Sequence, residues 1–516
     1  MPLLHGASLR ALLAGAAVAH LSSSPIVRAS PCAPPQPLRL RAFASHSASE
    51  PPPPPPSSPS PSTSRVLASA AAACDCEEGA KPAICTADEL HYAPVPGTEW
   101  RLALWRHRPP PEAPKRNHPL MLLSGVATNA VGFDLSPGAS FARHMSMQGF
   151  DTWIVELRGA GLSTRGSELA AASTKSDMSS NSELVPDASL TSSLEEVADK
   201  FLGLMELPQT SAIYDQISQL SQRLVKILGE GQQNVSPRLF GWQERLSATI
   251  EDLQKQLELI ISYDWDFDHY LEEDVPAAID YIKQQSVPKD GKLLAIGHSM
   301  GGILLYAMVS KCGFEGADPE LAAIVTLASS VDYTTSNSSL KLFVPLADPA
   351  EMLRVPAVPL GTLLSTTYPI SSRAPYILSL LRSQISAKDM MDPELLSKLI
   401  LNNFCTVPAK VLLQLATSFR DGGLRNRAGT FFFKEHLRKI KVPVLALAGD
   451  EDLICPPEAV YETVKVIPQH LVTYKVFGKP EGPHYAHYDL VGGRKAVHEV
   501  YPCIIEFLSQ HDDVSS

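Results

Sequence analysis

Leu293-Leu294-Ala295-Ile296-Gly297-His298-Ser299-Met300-Gly301-Gly302-Ile303-Leu304-Leu305-Tyr306 is the stretch on which the architecture turns. Its first four residues form a short apolar run ending in Gly, the pattern of a strand buried on both faces. The apolar residues from Ile303 onward read as a helix. Between them, Gly297-His298-Ser299-Met300-Gly301 sets a serine at a sharp strand-to-helix turn. Such a turn strains the serine backbone and lifts its hydroxyl clear of the sheet. The positions two before and two after the serine come close together, which explains Gly297 and Gly301. Gly302 adds room for the helix to pack. The amide of Met300, first in the helix, then points at an oxyanion developing beside Ser299. The five-residue pattern alone is common by chance; the flanking strand and helix give it weight.

Working outward, the same strand–helix alternation recurs. Residues 100–106 alternate as a strand, 119–125 form a buried apolar strand ending in Gly, and 140–148 read as a helix stopped by Gly149. A strand over 151–157 follows. Beyond it come a helix over 275–285, a strand over 292–296, and a strand over 322–327. Strands over 442–448 and 471–477 and a helix over 495–508 close the pattern. Strands alternating with helices predict an α/β chain with a mostly parallel sheet covered on both faces. Two segments interrupt it. Residues 164–263 begin polar and then turn helical. Ile213, Ile217, Leu220, Leu224 and Ile227 recur at helical spacing, as do Leu246, Ile250, Leu253, Leu257 and Ile260, and Ser193-Leu194-Glu195-Glu196 is a capping box. Residues 332–440 are rich in Leu, Pro and Ser, and their apolar runs suit either a cap lining an apolar pocket or core packing.

A serine hydroxyl needs a base, and the base needs an orienting carboxylate. In a serine-turn chain of this topology the acid and then the histidine follow the serine. The strand over 442–448 runs into Gly449-Asp450-Glu451-Asp452, so the acid candidates are Asp452 and Asp450. The loop after the last strand carries Pro483-His484-Tyr485-Ala486-His487-Tyr488-Asp489, so the base candidates are His487 and His484. Pro483 restricts its neighbourhood and suggests a surface turn at His484. A second oxyanion donor is expected from the loop Ser124-Gly125-Val126-Ala127, with the Val126 amide as candidate beside Met300. His298 and His498 read as ordinary turn and helix-surface residues. This chemistry needs no metal and no organic cofactor.

At these residues the chain resembles a known family. Ser124-Gly125-Val126-Ala127-Thr128-Asn129, Glu156-Leu157-Arg158-Gly159-Ala160-Gly161-Leu162-Ser163, Gly297-His298-Ser299-Met300-Gly301-Gly302, Gly449-Asp450-Glu451-Asp452 and Ala486-His487-Tyr488-Asp489 look like the lipase and esterase branch of the α/β-hydrolases. The resemblance covers residues 119–508 outside the first insertion. It implies an α/β-hydrolase fold with a helical insertion and a helical lid, and a catalytic set Ser299, Asp452 and His487, with Asp450 and His484 as alternates. Two departures stand out: Ser124 where many relatives carry His, and Ala486 where Gly is common. The implied activity is serine ester hydrolysis of an apolar ester. Acyl transfer by the same triad, or a slowly hydrolysing ligand receptor or scaffold, uses the same residues.

The amino-terminal region points to an address. Residues 1–49 hold no acidic residue, while Arg10, Arg28, Arg39 and Arg41 supply positive charge among Ser, Ala and Pro. That composition matches an organelle transit peptide, here a plastid one. The apolar run 11–19 after Arg10 offers secretion as the alternative. With this leader the chain further resembles plant plastid α/β-hydrolases associated with vitamin E (tocopherol) synthesis, which implies plastid-envelope association and a prenyl or acyl lipid ester. The expected organisation is therefore a transit peptide and Pro/Ser-rich linker (1–64), a linker (65–90) and the first part of the core (91–163). The insertion (164–263), the core with the serine turn (264–331), the lid (332–440), the core with acid and histidine (441–510) and a tail (511–516) follow. The net charge of −11 and the absence of a basic stripe argue against a nucleic-acid partner. The eight cysteines are scattered, with no second pair at zinc spacing after Cys74 and Cys76. No run of apolar residues is long enough to span a membrane as a helix.

Overall fold

Eight strands carry the architecture: β1 (Glu89–Pro94), β2 (Trp100–His107), β3 (Leu120–Leu123), β4 (Thr152–Val155), β5 (Leu293–His298), β6 (Leu321–Leu327), β7 (Val444–Gly449) and β8 (Val472–Phe477). They lie side by side in the order β1-β2-β4-β3-β5-β6-β7-β8, and Thr164–Arg165 adds a ninth, short strand against β2. β2 pairs antiparallel with both β1 and β4, and every later pairing is parallel. This computed structural model describes residues 84–166, 263–342, 357–360 and 383–513. The leader, the capping box at Ser193 and both helical stripes of the 164–263 insertion lie outside the described residues, as do residues 343–356 and 361–382 of the lid.

The apolar runs explain the burial. Every residue of β3, β5 and β7 is buried. Successive side chains on a strand point to opposite faces, so both faces of the central sheet are covered. The longer helices among the described residues are α1 (Phe141–Met147), α2 (Val275–Ser286), α3 (Met300–Glu315), α4 (Pro393–Asn402), α5 (Ala409–Ala416), α6 (Pro457–Val464) and α7 (Ala496–Gln510), of which α1, α2, α3 and α6 pack directly on the strands. α1 starts where the Ser140 hydroxyl accepts the Arg143 N–H at 2.9 Å. It stops before Gly149, whose positive φ of 93° leaves no room for a side chain beside the Pro114 carbonyl. α1 and α7 meet through an edge-on contact of Phe141 and Tyr501, 4.9 Å between ring centres. The sheet is the mostly parallel α/β sheet that the sequence predicts.

The strand order sets the site. From β3 the chain crosses to β4 on one side and returns to β5 on the other, with Leu123 of β3 opposite Gly297 of β5. Loops at such a reversal point away from each other and open a crevice at the carboxyl ends of the two strands. The loop after β3 and the turn after β5 therefore flank one crevice.

One boundary differs from the sequence reading. The stretch 65–90 reads as linker, yet its last residues are in the fold. Cys85 and Ala87 are buried, the Thr86 N–H donates to the Asp134 carboxylate at 2.5 Å, and β1 begins at Glu89. The signal was weak because β1 is a half-exposed edge strand whose polar residues blur the alternation. A chain starting at residue 81 should therefore keep the wild-type melting temperature. One starting at residue 91 loses the burial of Cys85 and Ala87 and the Asp134 contact, a cost on the order of 2–3 kcal/mol. Thermal unfolding of the two truncated proteins measures this, and equal melting temperatures would contradict it.

Candidate active site

Ser299 is the single residue between β5 and α3, with φ 54° and ψ −120°. A non-glycine residue held there costs about 1–3 kcal/mol, so surrounding contacts must hold it. The Ser299 N–H donates to the Leu327 carbonyl at the end of β6 (2.9 Å). Its own carbonyl accepts the N–H of Gly302 (3.0 Å) and of Ile303 (3.1 Å) and the Ser329 hydroxyl (2.9 Å). A Cβ on Gly297 would overlap the backbone of Gly301 and Gly302, and one on Gly301 would overlap the Leu123 carbonyl. The turn can close only because both side chains are missing.

Asp452 follows the end of β7 and is buried. Its Oδ1 accepts the N–H groups of Ile454 (2.9 Å) and Cys455 (2.8 Å), and its Oδ2 lies 2.9 Å from Nδ1 of His487. A carboxylate accepts only, so the proton of this contact sits on His487 Nδ1 and leaves Nε2 as an acceptor. The His487 loop is tied down by its neighbours. Asp489 accepts the N–H of Ala486 (2.8 Å), the Ser386 hydroxyl (2.6 Å) and the Ala387 N–H (2.7 Å). Burial still pushes the Asp489 carboxyl up to about 6, against those three donors and with the nearby Asp452 charge adding to the rise.

Asp450 and His484 form a separate contact. His484 Nδ1 lies 2.6 Å from Asp450 Oδ2, and the Tyr485 N–H donates to Asp450 Oδ1 at 2.9 Å. The His484 side chain is 37% exposed, against 10% for His487. The hydrogen bond that His484 donates to Asp450 raises the His484 pKa above its ordinary value. The acid and histidine loops are thus joined by two Asp–His contacts, Asp452–His487 buried and Asp450–His484 at the surface.

The loop after β3 completes the surroundings. Gly125 lies so near the turn that a Cβ there would sit 3.3 Å from the Ser299 Cβ. Ala127 has a positive φ of 52°. The Thr128 hydroxyl donates to the Gly125 carbonyl (2.8 Å), the Cys405 N–H to the Ala127 carbonyl (2.7 Å), and the Asn129 N–H to the Asn403 carbonyl (3.0 Å). The lid therefore fixes this loop directly. Behind it, the buried Glu156 accepts the N–H of Ala130 (2.9 Å) and of Leu162 (2.7 Å), and burial raises its pKa.

These elements enclose a cavity of about 200 Å³. Its lining combines Ser124, Gly125, Val126, His298, Ser299 and His487 with the apolar side chains of Phe133, Leu340, Ile385, Leu399, Phe404, Ile454 and Val491. Of the residues expected from sequence, Val126, Ser299 and His487 share this cavity. Asp452 sits behind His487, and Met300 opens α3, where helix N–H groups have no carbonyl partner in the preceding turn. Asp450 and His484 do not line it. His298 reads in sequence as an ordinary turn residue, but its ring has a structural task. Its Nε2 lies 2.9 Å from the His487 carbonyl, which can only accept, so Nε2 carries the proton. Burial first, and the neighbouring His487 second, lower the His298 pKa to about 3. Its adjacency to Ser299 was the one sequence signal available. His498 is exposed on α7.

The sequence profile described as alpha/beta hydrolase fold matches residues 118–489, well over half of the chain, and the protein belongs to that family. Solved structures with a similar fold include a monoacylglycerol lipase from Paleococcus ferrophilus, 12% identical, with 79% of this chain and 99% of that one aligned at a TM-score of 0.41. They also include a soluble variant of monoglyceride lipase from Saccharomyces cerevisiae in complex with a substrate analog (13%, 83% and 97%, 0.41). A thermophilic esterase from Thermogutta terrifontis aligns similarly (13%, 82% and 100%, 0.39). Likeness at this level carries no argument about substrate. No curated protein matches the chain by sequence.

The His298 pKa gives a pH dependence with a definite sign. Between the unfolded value of 6.5 and the folded value of about 3, the unfolded chain binds a proton that the folded chain refuses. Stability therefore falls as pH drops through that window, by roughly 2–3 kcal/mol at pH 4 from this residue. The raised pKa of Asp489 works in the opposite direction between about 6 and 3.8, where the folded chain binds the extra proton. Comparison with a variant isolates the histidine. His298→Asn keeps an N–H for the His487 carbonyl and removes the titration. In urea unfolding at pH 7 and pH 4, the variant should lose about 2 kcal/mol less than wild type. The same loss in both proteins would contradict this account of His298.

Proposed function

We propose that this protein is a serine carboxylic ester hydrolase acting on an ester with an apolar group. Ser299 Oγ attacks the ester carbonyl while His487 Nε2 takes its proton. Asp452 holds the imidazole with Nδ1 protonated and stabilises the imidazolium as it forms. The amides of Val126 and Met300 stabilise the oxyanion. The imidazolium returns its proton to the leaving alkoxide, and water, activated by His487, then releases the acid from the acyl-enzyme. The observation that carries this reading is the buried Asp452–His487 contact, opening on the same apolar cavity as the strained Ser299. The surface exposure of His484 supports a structural role for the Asp450–His484 contact instead.

The finer reading is that the protein works in the plastid, at the envelope membrane, on a prenyl or acyl lipid ester, with an effect on the prenyl alcohol supply for tocopherol. Its support is the acid-free, Arg- and Ser-rich stretch 1–49 together with the apolar cavity.

Two experiments test these readings separately. Fluorophosphonate labelling of the purified protein should be complete in wild type and absent in Ser299→Ala, with ester turnover down by about 10³-fold or more. Labelling that persists at the wild-type rate would move the nucleophile elsewhere. Residues 1–64 fused to a fluorescent protein and expressed in leaf cells should direct it to plastids with removal of the leader. Accumulation in the secretory pathway would refute the plastid address and leave the hydrolase reading untouched.

A further inference from the structure

The loop after β3 is tied across by one of its own side chains. Gly125 to Thr128 form a turn with Ala127 at a positive φ of 52°, and the Thr128 hydroxyl donates back to the Gly125 carbonyl at 2.8 Å. A carbonyl only accepts, so the single hydroxyl proton of Thr128 is committed to this bond. The carbonyl of Gly125 and the N–H of Val126 belong to one peptide unit. That unit is planar and trans, so its C=O and its N–H point in opposite directions. Holding the carbonyl therefore sets the direction of the Val126 N–H. The unit lies beside the nucleophile, since a Cβ on Gly125 would sit 3.3 Å from the Ser299 Cβ and 3.6 Å from the Thr128 Oγ1. No backbone carbonyl among the described residues accepts the Val126 N–H.

A hold is needed at this place. Gly125 has no side chain to restrict its backbone, and rotation of the peptide unit about its two ends would exchange the N–H for a carbonyl oxygen. A carbonyl aimed at the reacting centre would repel the oxyanion that an N–H stabilises. Thr128 is itself kept in register. It faces Phe404 in an antiparallel bridge, the Cys405 N–H donates to the Ala127 carbonyl (2.7 Å), and the Asn129 N–H donates to the Asn403 carbonyl (3.0 Å). Its β-branched side chain has few χ1 choices. We propose that Thr128 is a positioning residue for the oxyanion site: by binding the Gly125 carbonyl, its hydroxyl aims the Val126 N–H at the oxygen that turns negative when Ser299 attacks. This inference rests on the ester hydrolase reading and adds to it a residue that acts through the Val126 amide. An oxyanion donor acts on the transition state more than on the bound ester, so misaiming it lowers kcat and leaves KM.

The test compares the full chain with its Thr128→Val and Thr128→Ser variants, on a short activated ester and on an alkyl trifluoromethyl ketone. The ketone forms a tetrahedral adduct with the serine and places an oxyanion where the reaction would. Thr128→Val keeps the branched shape and removes the hydroxyl. It should lower kcat about tenfold with KM within about twofold, and weaken ketone binding by the same factor as kcat. Thr128→Ser restores the hydroxyl and should stay within about threefold of wild type in both measurements. Thr128→Ala is a second hydroxyl-free variant and serves if Thr128→Val does not fold. Wild-type kcat and ketone affinity in the hydroxyl-free variant would overturn the inference while leaving the hydrolase reading standing. A rise in KM at unchanged kcat would overturn it too, because the hydroxyl would then be binding substrate. So would a Thr128→Ser protein as slow as Thr128→Val, because the loss would not trace to the hydroxyl. Failure of wild type to turn over any ester or to label with fluorophosphonate would overturn the hydrolase reading, and this inference with it.

Discussion

The backbone of Ser299 sits at a positive φ that serine does not choose for itself, and the rest of the site depends on keeping it there. The strain is opposed from three sides. β6 accepts its N–H, α3 and Ser329 donate to its carbonyl, and the close approach of Gly297 to Gly301 lets the turn close. Each of these contacts comes from an element whose position is fixed by the parallel sheet. The loop after β3 meets the turn for the same reason, since Leu123 pairs with Gly297 and the chain reverses direction between β3 and β5. Strain in the turn and order in the sheet are one constraint: the core of fully buried strands supplies what the serine conformation costs.

The histidine side of the cavity is built on a different economy, that of buried hydrogen bonds. Asp452 is satisfied by two backbone amides and His487, His487 is held by Asp452 through its ring and by His298 through its carbonyl, and Asp489 ties the loop to the lid. His298 stays neutral in this environment, so it can donate to a carbonyl without adding a positive charge beside His487. The lid does more than cover. Its residues 403–405 bond to the loop that carries Val126, and its residues 385–387 bond to the loop that carries His487. A movement of the lid would therefore be felt on both sides of Ser299 at once.

Much of this was legible in the sequence because the signals are local. The turn at Ser299 is read within one strand, one turn and one helix, and the apolar runs of β3, β5 and β7 announce strands buried on both faces. β1 was hidden because an edge strand carries mixed side chains, and the linker consequently read too long. The paired candidates in the acid and histidine loops were ambiguous for a related reason. Asp450 with His484 and Asp452 with His487 have nearly the same separation along the chain, so the sequence favoured the second pair only through Pro483 and the family resemblance, whereas the structure places the first contact at the surface and the second beside the cavity. His298 gave no signal beyond its adjacency to Ser299, since its neutral state is set by burial.

The central claim is that the buried histidine, and not the exposed one, works with Ser299. Its most direct test is the rate of acylation by a short activated ester in two single variants measured by rapid mixing. The account predicts that His487→Ala slows acylation by several orders of magnitude. It predicts that His484→Ala costs about tenfold or less, as expected of a group outside the reacting atoms. An inactive His484→Ala beside a His487→Ala protein that keeps most of its acylation rate would contradict the account and exchange the two roles.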